Sequence, residues 1–124
     1  MAGPRSRSLW GVVLAGGSGS RLAGLTRALY GFDLPKQFAC IDGDRSLLQL
    51  TLDRIAPAIT PSRTVVVVTR EFETVAREQL AAHPGVELAV QPANLGTAPG
   101  ILFPVSRIRA RNPRAVVAFF PSDH

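Results

Sequence analysis

Three glycines in four residues, Gly16, Gly17 and Gly19, stand between the apolar run Leu9 to Leu14 and a helix-compatible segment that opens near Arg21. A strand that breaks into such a turn and enters a helix gathers several backbone N–H groups at the positive end of the helix dipole, which suits an anion. Glycine lets the backbone approach that anion with no Cβ in the way. Leu14-Ala15-Gly16-Gly17-Ser18-Gly19-Ser20 is therefore a candidate phosphate cradle. Arg21 adds a planar fork that matches phosphate oxygens. The same residues also suit a plain strand-to-helix turn that needs glycine for its backbone angles and binds nothing.

Two common phosphate motifs fail on this stretch. The dinucleotide fingerprint G-x-G-x-x-G fits Gly17 and Gly19 but meets Leu22 where its third glycine belongs. The P-loop pattern fits Gly19, Gly24 and Thr26 but meets Leu25 where its lysine belongs, and leucine cannot reach a phosphate. That argues against a P-loop NTPase.

Further motifs follow in order. They are Pro35-Lys36-Gln37-Phe38, Gln91-Pro92 with Asn94-Leu95-Gly96-Thr97-Ala98-Pro99, and Phe119-Phe120-Pro121-Ser122-Asp123-His124. With the glycine loop, and with Ser46-Leu47-Leu48-Gln49, Thr51 and Arg54, they resemble the sugar-1-phosphate nucleotidyltransferases, and within them the mannose-1-phosphate guanylyltransferases. The likeness runs from about Gly11 to His124.

The resemblance implies attack by a sugar-1-phosphate oxygen on the α-phosphorus of a nucleoside triphosphate, with pyrophosphate leaving. For GTP and mannose 1-phosphate the product is GDP-mannose. The protein mainly positions the reactants and neutralises charge in such a reaction. In this likeness Gly16, Gly17, Gly19 and Ser20 cradle the triphosphate, Arg21 holds the leaving pyrophosphate, and Lys36 bridges phosphates of both substrates. Asp123 carries Mg2+, which prefers one or two carboxylates plus substrate phosphates. Gln91, Gly96 and Thr97 face the base; a glutamine amide pairs with purine and pyrimidine edges alike, so only the likeness favours guanine over the UTP and dTTP branches. Lys36 as an exposed loop lysine and Asp123 as a turn aspartate are the plainer readings of those residues. The sequence departs from the family at Ala23-Gly24, where a bulky residue and proline are usual. It also lacks the further half that supplies the sugar site and a second metal-binding aspartate. The expectation is an incomplete domain, inactive by itself, whose partners are GTP, a sugar 1-phosphate, and either a C-terminal half or a second copy. A nucleotide-binding module without turnover is the rival.

A chain of 124 residues holds one domain or part of one, and its 46% hydrophobic content excludes a disordered chain. The formal charge of +5 suits an anionic substrate. The basic residues are scattered, with a small cluster at Arg107, Arg109, Arg111 and Arg114 that reads as a solvated helix face and not a nucleic-acid surface. The lone Cys40 permits no internal disulfide, is compatible with a reduced cytoplasmic setting, and reads as core filler. Met1 to Ala15 imitates a signal peptide, but its apolar part opens straight into the glycine loop, so secretion is rejected. No apolar run is long enough for a membrane helix.

These residues need elements to position them. Residues 1–8 are expected as a frayed tail and 9–124 as the nucleotide-binding part of a nucleotidyltransferase domain. Strands are expected at Trp10 to Leu14, Arg63 to Thr69, Val86 to Val90 and Arg114 to Phe120, with a short one at Phe38 to Ile41. Helices are expected from Ser20 to Tyr30, from an N-cap at Ser46 with Leu47, Leu48, Leu50, Thr51, Ile55 and Ala58 near helical spacing, from Glu71 to Ala82, and from Ala98 to Arg111 with Pro104 delaying or kinking it. Asp42-Gly43-Asp44 signals a turn, and His83 reads as a helix C-cap. The alternation gives an α/β, Rossmann-like parallel sheet, read here in the order 3-2-1-4. Ligands bind such sheets beyond the C-terminal ends of the strands. The glycine loop, Gln91-Pro92 and Ser122-Asp123 each follow a strand and should meet at that edge.

Overall fold

The computed structural model describes residues 8–16, 36–40, 43–92 and 97–122. The strands among these residues are β1 (Leu9–Leu14), β2 (Thr64–Thr69), β3 (Glu87–Gln91) and β4 (Val116–Pro121). All pair in parallel, in the order β3-β2-β1-β4. The α-helices among the described residues are α1 (Leu47–Ile55), α2 (Glu73–Leu80) and α3 (Thr97–Arg111). The expected helix from Ser20 to Tyr30 and the tail before Ser8 lie outside the described residues. No described helix is long and apolar enough to cross a membrane.

The sheet has an apolar core on each face, and alternation along the strands divides them. Val13, Ala15, Val66 and Val68 pack with Leu48, Leu52 and Ile55 of α1, Ala76 and Leu80 of α2, and Phe38. Trp10, Val12, Val65, Val67 and Ala89 pack on the other face with Ile108 of α3 and Ala115. Right-handed crossovers require this layering: two steps in one direction, β1 to β2 to β3, put α1 and α2 on one face, and the return to β4 puts α3 on the other. Every residue of β2 is buried, so its run of valines serves both cores at once. In β1, a Cβ on Gly11 would lie 3.2 Å from Ile59 Cδ1, so the glycine permits the close approach of the segment after α1.

The Ser46 N-cap forms as expected, in a full capping box with Gln49. The inward face of α1 differs in part: Leu52 is buried, whereas Leu50 is 43% exposed and Ala58 lies outside the helix on the surface. Gly43 adopts φ +132° in the expected turn. Pro104 is buried within a continuous α3, which neither starts late nor ends there. Arg107 and Arg111 of that helix both pair with Glu87 of β3 at 2.9 Å, and Arg111 also stacks over Trp10. Part of the arginine cluster thus clasps α3 to the sheet.

Two expectations are corrected. The short strand expected at Phe38 to Ile41 does not form over its described part, Phe38 to Cys40: Lys36–Phe38 is a 3-10 turn, and Ala39 and Cys40 carry no regular structure. The Phe38 carbonyl accepts from the Gln79 side chain and not from a neighbouring strand. Cys40 is only half-buried, not core filler. Strand β4 is half-exposed: among the described residues it pairs only with β1, and Val116 and Phe119 are 41% and 37% exposed.

His83 closes α2 through its backbone, donating to Leu80 O at 2.8 Å. Its ring instead faces Arg45, whose Nη2 lies 2.9 Å from Nε2. A guanidinium can only donate, so Nε2 is the acceptor and the ring is neutral. Asp53, held by Arg45 at 2.7 Å, stands 3.8 Å from the same nitrogen. Burial pushes the His83 pKa below its ordinary value of 6.5; Asp53 opposes this and Arg45 adds to it.

Two outcomes follow. The unfolded chain takes up a proton at His83 near 6.5 and the folded chain only at lower pH, so stability from this group is lost as pH falls through that window. Thermal melts at about pH 7.5 and about pH 5.5 should show this loss in the wild type and a smaller one in His83→Gln, which keeps an acceptor for Arg45; equal losses would show that His83 is not the source. At β4, an unpaired edge among the described residues, flanked by exposed Val116 and Phe119, invites association with other chains. Sedimentation of the isolated 13.2 kDa chain should show mass rising with concentration, and Phe119→Lys should lower it. A monomer at every concentration would contradict this.

Candidate functional site

Strands β1, β3 and β4 end at one edge of the sheet, and their following residues meet there. Thr69 and Gln91 are register partners at the ends of β2 and β3. Gln91 is buried and its side chain reaches across β2 toward β1: a Cβ on Gly16 would lie 4.0 Å from Gln91 Oε1 and 3.9 Å from Thr69 Cγ2. From the other side, Ser122 Oγ donates to Leu14 O at 2.9 Å, tying the end of β4 to the end of β1. Gly16, Gln91 and Ser122, far apart in sequence, thus surround one strand end.

The backbone of Ala15 is already committed. Its N–H donates to Val67 O at 2.9 Å, and its carbonyl accepts from Gln37 Nε2 at 2.9 Å. Its methyl group is buried. Ala15 thus ties the end of β1 to β2 and to the Lys36 turn. Gln37 follows Lys36 in the 3-10 turn and is 3% exposed. Its bond to Ala15 O brings the backbone of Lys36 close in sequence to an anchor on the glycine loop.

Gly17, Ser18, Gly19, Ser20, Arg21, Gly96 and Asp123 lie outside the described residues. Thr97 begins α3, and Gln91 ends β3. The structure thus brings Leu14, Ala15, Gly16, Gln91 and the Lys36 turn to one edge. Among the described residues no group of three or more His, Cys, Asp or Glu side chains could hold a metal ion. Asp123 directly follows the anchored Ser122.

Sequence reasoning gave no role to the anchors Gln37 and Ser122, or to Thr69. Each bonds or packs against a neighbouring strand end, and hydropathy does not report that. The one available signal was position, since Gln37 and Ser122 each stand next to a residue assigned to chemistry.

Comparison with known proteins agrees with this geometry. The Nucleotidyl transferase family profile matches residues 10–124. The mannose-1-phosphate guanylyltransferase of Salmonella montevideo is 32% identical over 115 residues, 91% of this chain and 23% of that protein. The chain therefore spans about a quarter of the length of the curated relatives it matches. The crystal structure of a mannose-1-phosphate geranyltransferase from Thermus thermophilus superposes with a TM-score of 0.76 at 29% identity, covering 94% of this chain and 32% of that one. The inositol-1-phosphate CTP transferase from T. maritima superposes with a TM-score of 0.60 at 25% identity, covering 95% and 44%. On its parallel sheet and the extent of these matches, the chain belongs to the nucleotidyl transferase family.

Proposed function

We propose that this chain forms the nucleotide-binding part of a sugar-1-phosphate nucleotidyltransferase that joins GTP and mannose 1-phosphate into GDP-mannose and pyrophosphate. The observation that carries the reading is the meeting of Gly16, Gln91 and Ser122 around the end of β1. The relatives named mannose-1-phosphate guanylyltransferase support the choice of base and sugar.

In this reading the glycine loop from Gly16 to Ser20 binds the triphosphate through backbone N–H groups, and no Cβ at Gly16 fills the space beside Gln91. Arg21 holds the pyrophosphate as charge builds on it. Lys36 approaches from the turn anchored to Ala15 and lies along phosphates of both substrates. Gln91 presents its amide to the base edge, with Gly96 and Thr97 beside it. Asp123, following the tethered Ser122, is the residue to hold Mg2+, since a single carboxylate leaves room for phosphate and water ligands. The metal, when bound, neutralises phosphate charge. Positioning and charge neutralisation are the protein's main levers on phosphoryl chemistry.

The CTP-using neighbour favours one alternative, a transferase of the same class with a pyrimidine nucleotide. Calorimetry on the chain with Mg2+ separates them: GTP should bind more tightly than UTP or CTP, and Lys36→Ala should weaken GTP binding by about 10-fold, the loss of one charge-assisted contact. Equal affinities remove the guanine assignment. No binding of any nucleotide by folded protein removes the site.

A further inference from the structure

Lys36 is the one lysine among the fourteen Lys and Arg residues of the chain. The turn that carries it is short, and a 3-10 turn of three residues has little hydrogen bonding of its own. Its order must come from outside.

One side is Gln37, bonded to Ala15 O. The other side is Gln79, on α2, which is 41 residues away in sequence from Phe38. Gln79 Nε2 donates to Phe38 O at 2.7 Å. The same side chain accepts from Ser46 Oγ at 2.6 Å, and the Gln79 backbone carbonyl accepts from Gln49 Nε2 at 3.1 Å. Ser46 and Gln49 are the capping box of α1. Gln79 thus joins three elements, and its amide is oriented by both partners: the oxygen toward the Ser46 hydroxyl, the nitrogen toward the Phe38 carbonyl. The Phe38 ring sits in the core, 5.9 Å from Phe72 between centroids, which fixes the turn's depth but not its rotation. The two glutamine bonds fix its rotation.

We infer that Gln79 is a positioning residue for Lys36: from α2 it sets the turn from which the lysine meets the nucleotide. This rests on the role given to Lys36 above. A purely structural role for Gln79 would change stability alone, whereas positioning must change the surroundings of the Lys36 amine.

The single lysine makes this measurable. Acylation of Lys36 by an amine-reactive ester at about pH 8, where a carboxylate at residue 79 is ionised, is followed by peptide mass spectrometry on the full chain, with and without GTP and Mg2+. The N-terminal amine is the internal reference. Gln79→Glu keeps the acceptor for Ser46, puts an oxygen in place of the donor to Phe38 O and adds a charge. Gln79→Met removes both bonds without a charge, so a change shared by the two variants reports the lost bonds and not the added charge. Ser46→Ala removes the other partner of Gln79 and the helix cap but leaves the Phe38 bond. The expected result is that the Gln79 variants alter the Lys36 rate in the free protein. They should also lower its protection by GTP by about 5- to 10-fold, the scale of one lost hydrogen bond. Ser46→Ala, which leaves the Phe38 bond, should change both less than the Gln79 variants do while lowering the melting temperature. Wild-type rates and protection in folded Gln79 variants, or an equal change in Ser46→Ala, overturn the inference. If GTP gives no protection in the wild type, the role of Lys36 fails; the rate in the free protein then decides the positioning claim by itself.

Discussion

Where β1 leaves the sheet, its last carbonyls need hydrogen-bond donors, because a buried backbone acceptor without a partner costs free energy comparable to a lost bond. Leu14 O receives the Ser122 hydroxyl and Ala15 O receives the Gln37 amide. Those two bonds satisfy the strand end and also bring the end of β4 and the Lys36 turn to it. The candidate site is thus assembled by the same interactions that close the sheet. Burial on both faces keeps the strand end rigid: Val12 and Val13 are fully buried against opposite cores.

Much of the architecture was legible in the sequence. The consecutive valines of β2, the N-cap at Ser46 and the alternation of strands and helices each carry a local signal, and together they point to the parallel order found here. The convergence of three strand ends followed from topology, since parallel strands must all finish on one side. Residues 38–41 carry strand-like side chains, but Phe38 is drawn into the core by Leu48, Leu52 and Leu80, and its carbonyl is taken by Gln79. Leu50 and Leu52 exchanged places because the apolar residues of α1 outnumber the positions that face the sheet. The anchors Gln37, Gln79 and Ser122 were invisible as anchors because a side chain that bonds a distant backbone leaves no periodicity behind.

Family membership and activity stand at different levels. The profile match covers nearly the whole chain and the sheet order agrees with it. The curated relatives, however, extend over a far greater length than the matched region. What this chain contributes to catalysis, in the reading proposed above, is the edge described here, with its phosphate loop and base-facing segment. Strand β4 brings to that edge both an anchor and a half-exposed apolar strand, so the element that helps build the site is also the least covered of the described strands.

All three anchoring bonds share one chemical form: a side-chain donor meets a main-chain carbonyl, at Leu14, Ala15 and Phe38. Carbonyls are common to every amino acid. The receiving positions can therefore change side chain, within the limits of packing, without altering the bond that holds them, while the three donors carry the whole chemical requirement. In a saturation library the tolerance of this edge should be lopsided, with narrow choice at Gln37, Gln79 and Ser122 and choice at Leu14 governed by size alone. The frame of the site is encoded sparsely, in a few polar side chains that read the backbone and not one another.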